Sequence, residues 1–245
     1  MNTLNKKAIA DSPAKVGLFS KREAALLISS GYSHVHSSLL GLRDSLANLT
    51  LSALASDFIP SYTWEANSNQ QQIAVHSSKE RKKVIDQVLS ELKIKSSSSM
   101  GDKIWTSLEE LLTNSIFHAY QDGSGKEKYH RRETVELLPE EKILLGFSRD
   151  SKGIYVSVQD SGVGLTFSNV QSNFKRCYES QGLSQIETKD GGAGLGLYVV
   201  FELATHVKIT SHPKSGTLTQ CWFANSSNFD PDYFSFNFFT GDKKS

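Results

Sequence analysis

Cysteine is scarce in this 245-residue sequence: Cys177 and Cys221 are the two present, with no CxxC and no Cys/His ligand spacing. That argues against a disulfide framework and against a structural zinc, and it fits a reducing compartment. Long apolar runs are lacking as well. None approaches the ~20 residues that a bilayer-spanning helix needs. The opening stretch MNTLNKKAIADSPAK sets no apolar core beside its basic residues, so a secretory leader is not expected. Nor is there an excess of one charge: 27 Lys+Arg against 26 Asp+Glu leave a formal net charge of +1. No global field therefore steers the chain towards nucleic acid or an acidic membrane, and neither partner is expected. Basic runs at 79–83 and 126–132 sit among polar residues and read as a solvated helix face and a solvated loop. The expectation is a cytoplasmic protein.

What is present suffices for an ordinary core: 38% hydrophobic and 10% aromatic residues. Residues 1–15 read as a flexible lead-in. VGLFS is a short apolar run, 21–30 has helical character and stops at Gly31, and YSHVHSS alternates like a strand. Leu39, Leu42, Leu46, Leu49 and Leu54 suit one buried helical face, and Pro60 marks a break. QIAVHSS then predicts a strand. Ser78 is placed to cap a helix over KERKKVIDQVLSELK, and a strong helix is predicted from Lys103 to about Tyr120. The charged stretch 126–141 reads as a surface insertion. KILLGFSRD and GIYVSVQD read as an antiparallel hairpin. GGAGLGLYVVFELATH is a loop running into a helix, and VKITSHP and TLTQCWFA are the strands after it. This order predicts an α+β two-layer sandwich, with helices on one face of a mixed sheet.

Three patterns carry chemistry. Glu110 and Asn114 lie four apart on the second long helix and so share a face. A magnesium ion holding a triphosphate wants few protein ligands and hard oxygens, which the Asn114 amide offers. Glu110 could orient or deprotonate an attacking group. Next, DSGVGL places Asp160 at a strand end, where a carboxylate can accept the exocyclic amine of adenine. Gly162 and Gly164 allow a tight turn and close approach of a base. Third, GGAGLGL opens a helix, so that backbone amides of Gly192, Gly194, Leu195 and Gly196 can converge on phosphate, with Lys189 just before them. Each pattern alone is common as plain structure.

In this order the three resemble the N, G1 and G2 boxes of the GHKL ATPase superfamily, over residues 71–225. The resemblance implies a Bergerat-type ATP-binding fold with ATP and Mg²⁺ as ligands. It makes Asn114 the metal ligand, Asp160 the adenine reader, Gly162 and Gly164 the base pocket, and Gly192, Gly194 and Gly196 the phosphate loop and lid hinge. NFKRCYES resembles the F-box of sensor kinases, which would put Phe174 and Arg176 in the lid.

A sensor histidine kinase would also need a phosphoacceptor box. The nearest candidate, SHVHSSLLGLRDSL with His34 and His36, lacks the acidic neighbour and the proline. His36 is otherwise an ordinary strand-end histidine. EELLTNSIFHAY, with His118 and Tyr120, looks like the anti-sigma-factor serine kinases instead. That likeness implies γ-phosphoryl transfer to Ser/Thr of an antagonist or sigma-factor-like regulatory protein, with Glu110 as base. A response regulator as partner, a histidine kinase core, an ATP-gated interaction module without turnover and a homodimer stay open. Residues 1–65 read as an N-terminal α/β extension, similar over 16–55 to the second half of a receiver domain, without its phosphoacceptor Asp. The tail 226–245 carries Phe229, Tyr233, Phe234, Phe236, Phe238 and Phe239 and reads as a strand docking on the domain's own core, with a dimer or partner contact as the alternative.

Overall fold

The computed structural model describes residues 14–37, 71–151, 153–179, 195–212, 215–225 and 234–240. Of the expected lead-in over 1–15, residues 1–13 lie outside the described residues, while Ala14 and Lys15 belong to a strand, Ala14–Gly17. The leucine face over 39–55, Pro60, Phe229 and Tyr233 also lie outside the described residues.

Among the described residues, alternating apolar and β-branched residues make eight strands, and helical apolar stripes make five helices. In chain order these are β1 (Ala14–Gly17), α1 (Lys21–Ser29), β2 (His34–Ser37), β3 (Gln71–Val75), α2 (Arg81–Glu91), α3 (Ser99–Phe117), β4 (Ile143–Arg149) and β5 (Gly153–Asp160). They continue as α4 (Phe167–Glu179), α5 (Gly196–Leu203), β6 (His206–His212), β7 (Gly216–Ala224) and β8 (Phe234–Thr240). The strands form one sheet in the order β1-β2-β8-β6-β7-β5-β4-β3. β1 runs parallel to β2 and β6 parallel to β8, while the other pairings are antiparallel. This is the α+β sandwich with a mixed sheet. No helix among the described residues is long and apolar enough to cross a membrane.

The tail strand β8 sits between β2 and β6, so the N-terminal strands join the same sheet through it. Its alternation explains the placement. Phe234 and Phe236 turn towards the helices, where Phe236 meets Phe174 and Phe201 at ring distances of 5.5 and 6.0 Å. Ser235 and Asn237 lie on the opposite face of the strand.

Several boundaries differ from expectation. Ser77, not Ser78, caps the first turn, accepting from Lys79 N at 3.2 Å, and a 3-10 turn (Ser78–Glu80) precedes α2. Ser78 Oγ accepts instead from Val135 N at 2.9 Å. The second long helix starts at Ser99 because Ser98 accepts from Gly101 N at 3.0 Å, and it ends at Phe117. The helix α4 was not foreseen. Thr166 and Asn169 cap it reciprocally, and Phe167, Val170 and Phe174 give it an apolar face. The stretch 126–141 is no free loop either: Val135 is 3% exposed and Glu141 is 8% exposed, paired with Lys128 at 2.6 Å.

On the face of the sheet carrying Ser235 and Asn237, imidazoles are buried as neutral rings. Asn237 Oδ1 meets His34 Nδ1 at 3.2 Å and His36 Nε2 at 3.0 Å, and His206 Nδ1 meets Ser235 Oγ at 2.9 Å. Burial lowers His34 to about 4 and His206 to about 3, and it lowers His36 in the same direction. Folded pKa values below the unfolded ~6.5 mean that the unfolded chain takes up protons first. Stability is therefore complete above that value and lost as pH falls through it. Taking the chain from pH 7 to pH 5 should cost on the order of 2 kcal/mol for a ring such as His34. Thermal melts at the two values measure this, and His34→Gln should remove that residue's share.

Candidate functional site

α3 is the floor of the site. Ile104, Leu108, Leu112 and Ile116 are fully buried along one side of it. That leaves Glu110, Asn114 and His118 in a single row at i, i+4 and i+8, with successive Cβ atoms roughly 5–6 Å apart. The row meets the start of α5. A Cβ built on Gly196 would lie 2.3 Å from Glu110 Oε2 and 3.4 Å from Asn114 Nδ2. Glycine lets the helix start come down onto the acid and the amide. Leu195, just before it, puts no side-chain oxygen over the first N–H groups of α5, as a helix end that meets an anion requires. Lys189, Gly191, Gly192 and Gly194 lie outside the described residues.

Asp160 closes β5 and is 7% exposed. Its Oδ1 accepts from Gly162 N at 3.0 Å and Thr217 N at 3.2 Å, and Ser115 Oγ lies 3.5 Å from its Oδ2. Burial raises its pKa to about 6, against the pull of those donors. The carboxylate is therefore held in place through one oxygen, at an energetic cost, while the other has a single long contact among the described residues.

The two glycines of this turn differ in role. A Cβ on Gly162 would sit 2.2 Å from the Ala119 carbonyl, so its bareness serves backbone packing against the end of α3. Gly164 has φ +84 and lines the cavity. Gly216, at φ +106, lets β7 begin against Asp160, where a Cβ would lie 1.9 Å from the Asp160 carbonyl oxygen.

Between these parts lies a cavity of about 460 Å³. Asn114, Ser115 and His118 line it from α3, Asp160 and Gly164 from the β5 turn, and Thr217 and Thr219 from β7. Glu110 does not line the cavity; it lies against Gly196, which Asn114 also meets. Asn169, Asn173 and Arg176 reach it from α4, with Arg176 donating to Asn173 Oδ1. The F-box expectation is corrected here: Phe174 is 0% exposed and packs edge-on against Tyr198 and Phe201, so it is core and not a lid residue, while Arg176 is at the cavity.

His118 holds two contacts that sequence reasoning missed. Its Nε2 accepts from Arg131 Nη2 at 2.8 Å and Nε at 3.2 Å, which leaves the ring proton on Nδ1, donated to Glu127 Oε1 at 2.6 Å. Thr217 was missed too. The alternation of threonines in TLTQCWFA was the one local sign that β7 turns hydroxyls to one side.

The donor set fits a phosphate-bound Mg²⁺. Among the described residues no three His, Cys, Asp or Glu side chains come together. Asn114 instead offers one amide oxygen at the cavity wall, suited to an ion that keeps waters and takes phosphate oxygens. The Oδ2 side of Asp160 and the apolar Leu111, Val158 and Leu197 suit a flat base with an amine donor.

A family model described as "Histidine kinase-like ATPase domain" matches residues 76–222, more than half of the chain. No curated protein matches it. Domains of this family bind ATP, generally with Mg²⁺. The chain belongs to the histidine kinase-like ATPase domain family and carries an ATP-binding domain of the GHKL type.

Proposed function

We propose that this protein transfers the γ-phosphoryl group of Mg-ATP to a serine or threonine of a regulatory partner protein, in the manner of the anti-sigma-factor kinases. The observation that carries the reading is the row of Glu110 and Asn114 against Gly196 at the start of α5. In it an acid stands one helical turn from the metal-binding amide and beside a helix N-terminus. Asp160 holds the adenine amine, and Asn114 ligates Mg²⁺. The phosphates lie at the α5 N-terminus, served by Lys189, Gly192, Gly194, Leu195 and Gly196. His118 borders them. Glu110 takes the proton of the acceptor hydroxyl as its oxygen bonds to the γ-phosphorus and ADP leaves. Phosphoryl transfer asks mainly for such positioning and charge neutralisation. The ATP-binding domain spans 71–225, and the flanking segments 1–65 and 226–245 add β1, β2 and β8 to its sheet.

His36 as a phosphate acceptor is disfavoured. His36 is 4% exposed and hydrogen-bonded to Asn237, so its ring does not reach a bound nucleotide without unfolding β2. Incubation with γ-labelled ATP and candidate antagonist proteins tests the proposal. Acid-stable phosphoserine or phosphothreonine on one of them is the expected product. Acid-labile phosphohistidine on the chain itself would oppose it.

A further inference from the structure

Arg131 and Glu127 belong to the stretch 126–141, and both contact His118 at the cavity wall. The stretch is tied down on both sides of them. Gln121 bridges Glu127, Lys128 N donates to Tyr120 O at 3.0 Å, and further along Val135 is buried and bonded to Ser78. Arg131 is therefore a guanidinium delivered to one place, not a side chain of a solvated loop.

Its chemistry there is incomplete. Arginine carries five N–H donors, and two of them, on Nε and Nη2, go to the His118 ring. Among the described residues the Nη1 edge keeps its pair, the residue is exposed, and the imidazole that receives it is the uncharged tautomer described above. Glu127 fixes that ring from the other side. The imidazole in turn sits one helical turn from Asn114, roughly 5–6 Å between Cβ atoms. A planar fork of N–H donors held one imidazole away from that magnesium ligand matches phosphate oxygens, which such a fork binds in paired hydrogen bonds.

We infer that Arg131, positioned by His118 and Glu127, binds the phosphate tail of the nucleotide whose Mg²⁺ rests on Asn114. The charged stretch 126–141 then supplies a phosphate-binding arginine from outside the three glycine- and asparagine-bearing motifs. This rests on the reading of the cavity as the nucleotide site. Glu127 acts through His118 and is a positioning residue.

The test is calorimetric titration of the full chain with Mg-ATP, Mg-ADP and adenosine, for wild type, Arg131→Ala and Arg131→Lys. Loss of a charge-assisted pair should weaken Mg-ATP binding at least about tenfold in Arg131→Ala. Adenosine affinity, which also reports an intact fold, should stay unchanged, and Arg131→Lys should recover part of the loss. Equal weakening of ATP and adenosine would make Arg131 a structural tie to His118 and overturn the inference. So would unchanged binding of both, and in these two cases the nucleotide site itself stands. A wild type that binds none of the three overturns the site and the inference together.

Discussion

Asp160→Asn is expected to make the nucleotide-free protein more stable while removing adenine binding. Burial raises the Asp160 pKa from 3.8 to about 6, so its ionised form costs the fold on the order of 3 kcal/mol. Asparagine keeps an oxygen for the Gly162 and Thr217 amides and carries no charge. The pH dependence has a definite sign. A carboxyl whose folded pKa is raised holds its proton longer in the native state, so its contribution is most favourable below about 3.8 and declines until pH passes about 6. The variant should therefore gain most over wild type at pH 7.5 and little at pH 4, as read from paired thermal melts. For the ligand, the change substitutes an NH₂ donor for the Oδ2 acceptor. An adenine amine then faces a donor, and affinity should fall on the order of 100-fold. A variant that loses stability and keeps affinity would mean that Asp160 serves the fold alone.

Glu110→Gln should separate binding from turnover. The amide preserves the shape of the side chain under Gly196 but cannot accept the proton of an attacking hydroxyl. A general base contributes on the order of 10²–10⁴ in rate, so phosphoryl transfer or ATP hydrolysis should fall at least about 100-fold. Mg-ATP affinity should stay within a few-fold, since Asn114, Asp160 and the start of α5 are untouched. Single-turnover assays with labelled ATP, beside a binding titration, read both quantities. Unchanged turnover would remove Glu110 from the chemistry. Affinity lost in step with rate would make it a nucleotide ligand.

Much of the site was legible because its parts are local. Glu110, Asn114 and His118 share a helical period, Asp160 ends an alternating strand, and Gly196 opens an apolar helix; each signal lies within a few residues. The docking strand in the tail was legible too, since Phe234, Phe236 and Phe238 alternate with Ser235 and Asn237. What stayed hidden depends on distant chain segments. Thr217 donates to Asp160 across 57 positions, and Arg131 reaches His118 across 13. A charged residue carries no mark of whether its partner is water or an imidazole. α4 was missed for a different reason: its apolar positions are few. The spacing of Phe167, Val170, Phe174 and Cys177 at i, i+3, i+7 and i+10 is helical, and Thr166 stands as its cap. That signal was present but was outweighed by the polar residues around it. Gly162 shows a third limit, because the sequence marks a need for glycine and cannot say whether backbone or ligand imposes it.

The most direct measurement is calorimetric titration of Mg-ATP into the wild-type chain and into Asn114→Ala, repeated with excess EDTA. Wild type should bind Mg-ATP saturably at one site. Loss of the amide proposed to hold Mg²⁺ should weaken Mg-ATP at least about tenfold, and the two proteins should bind metal-free ATP alike. A wild type that shows no nucleotide binding, or an Asn114→Ala protein that binds Mg-ATP as wild type does, would contradict the account.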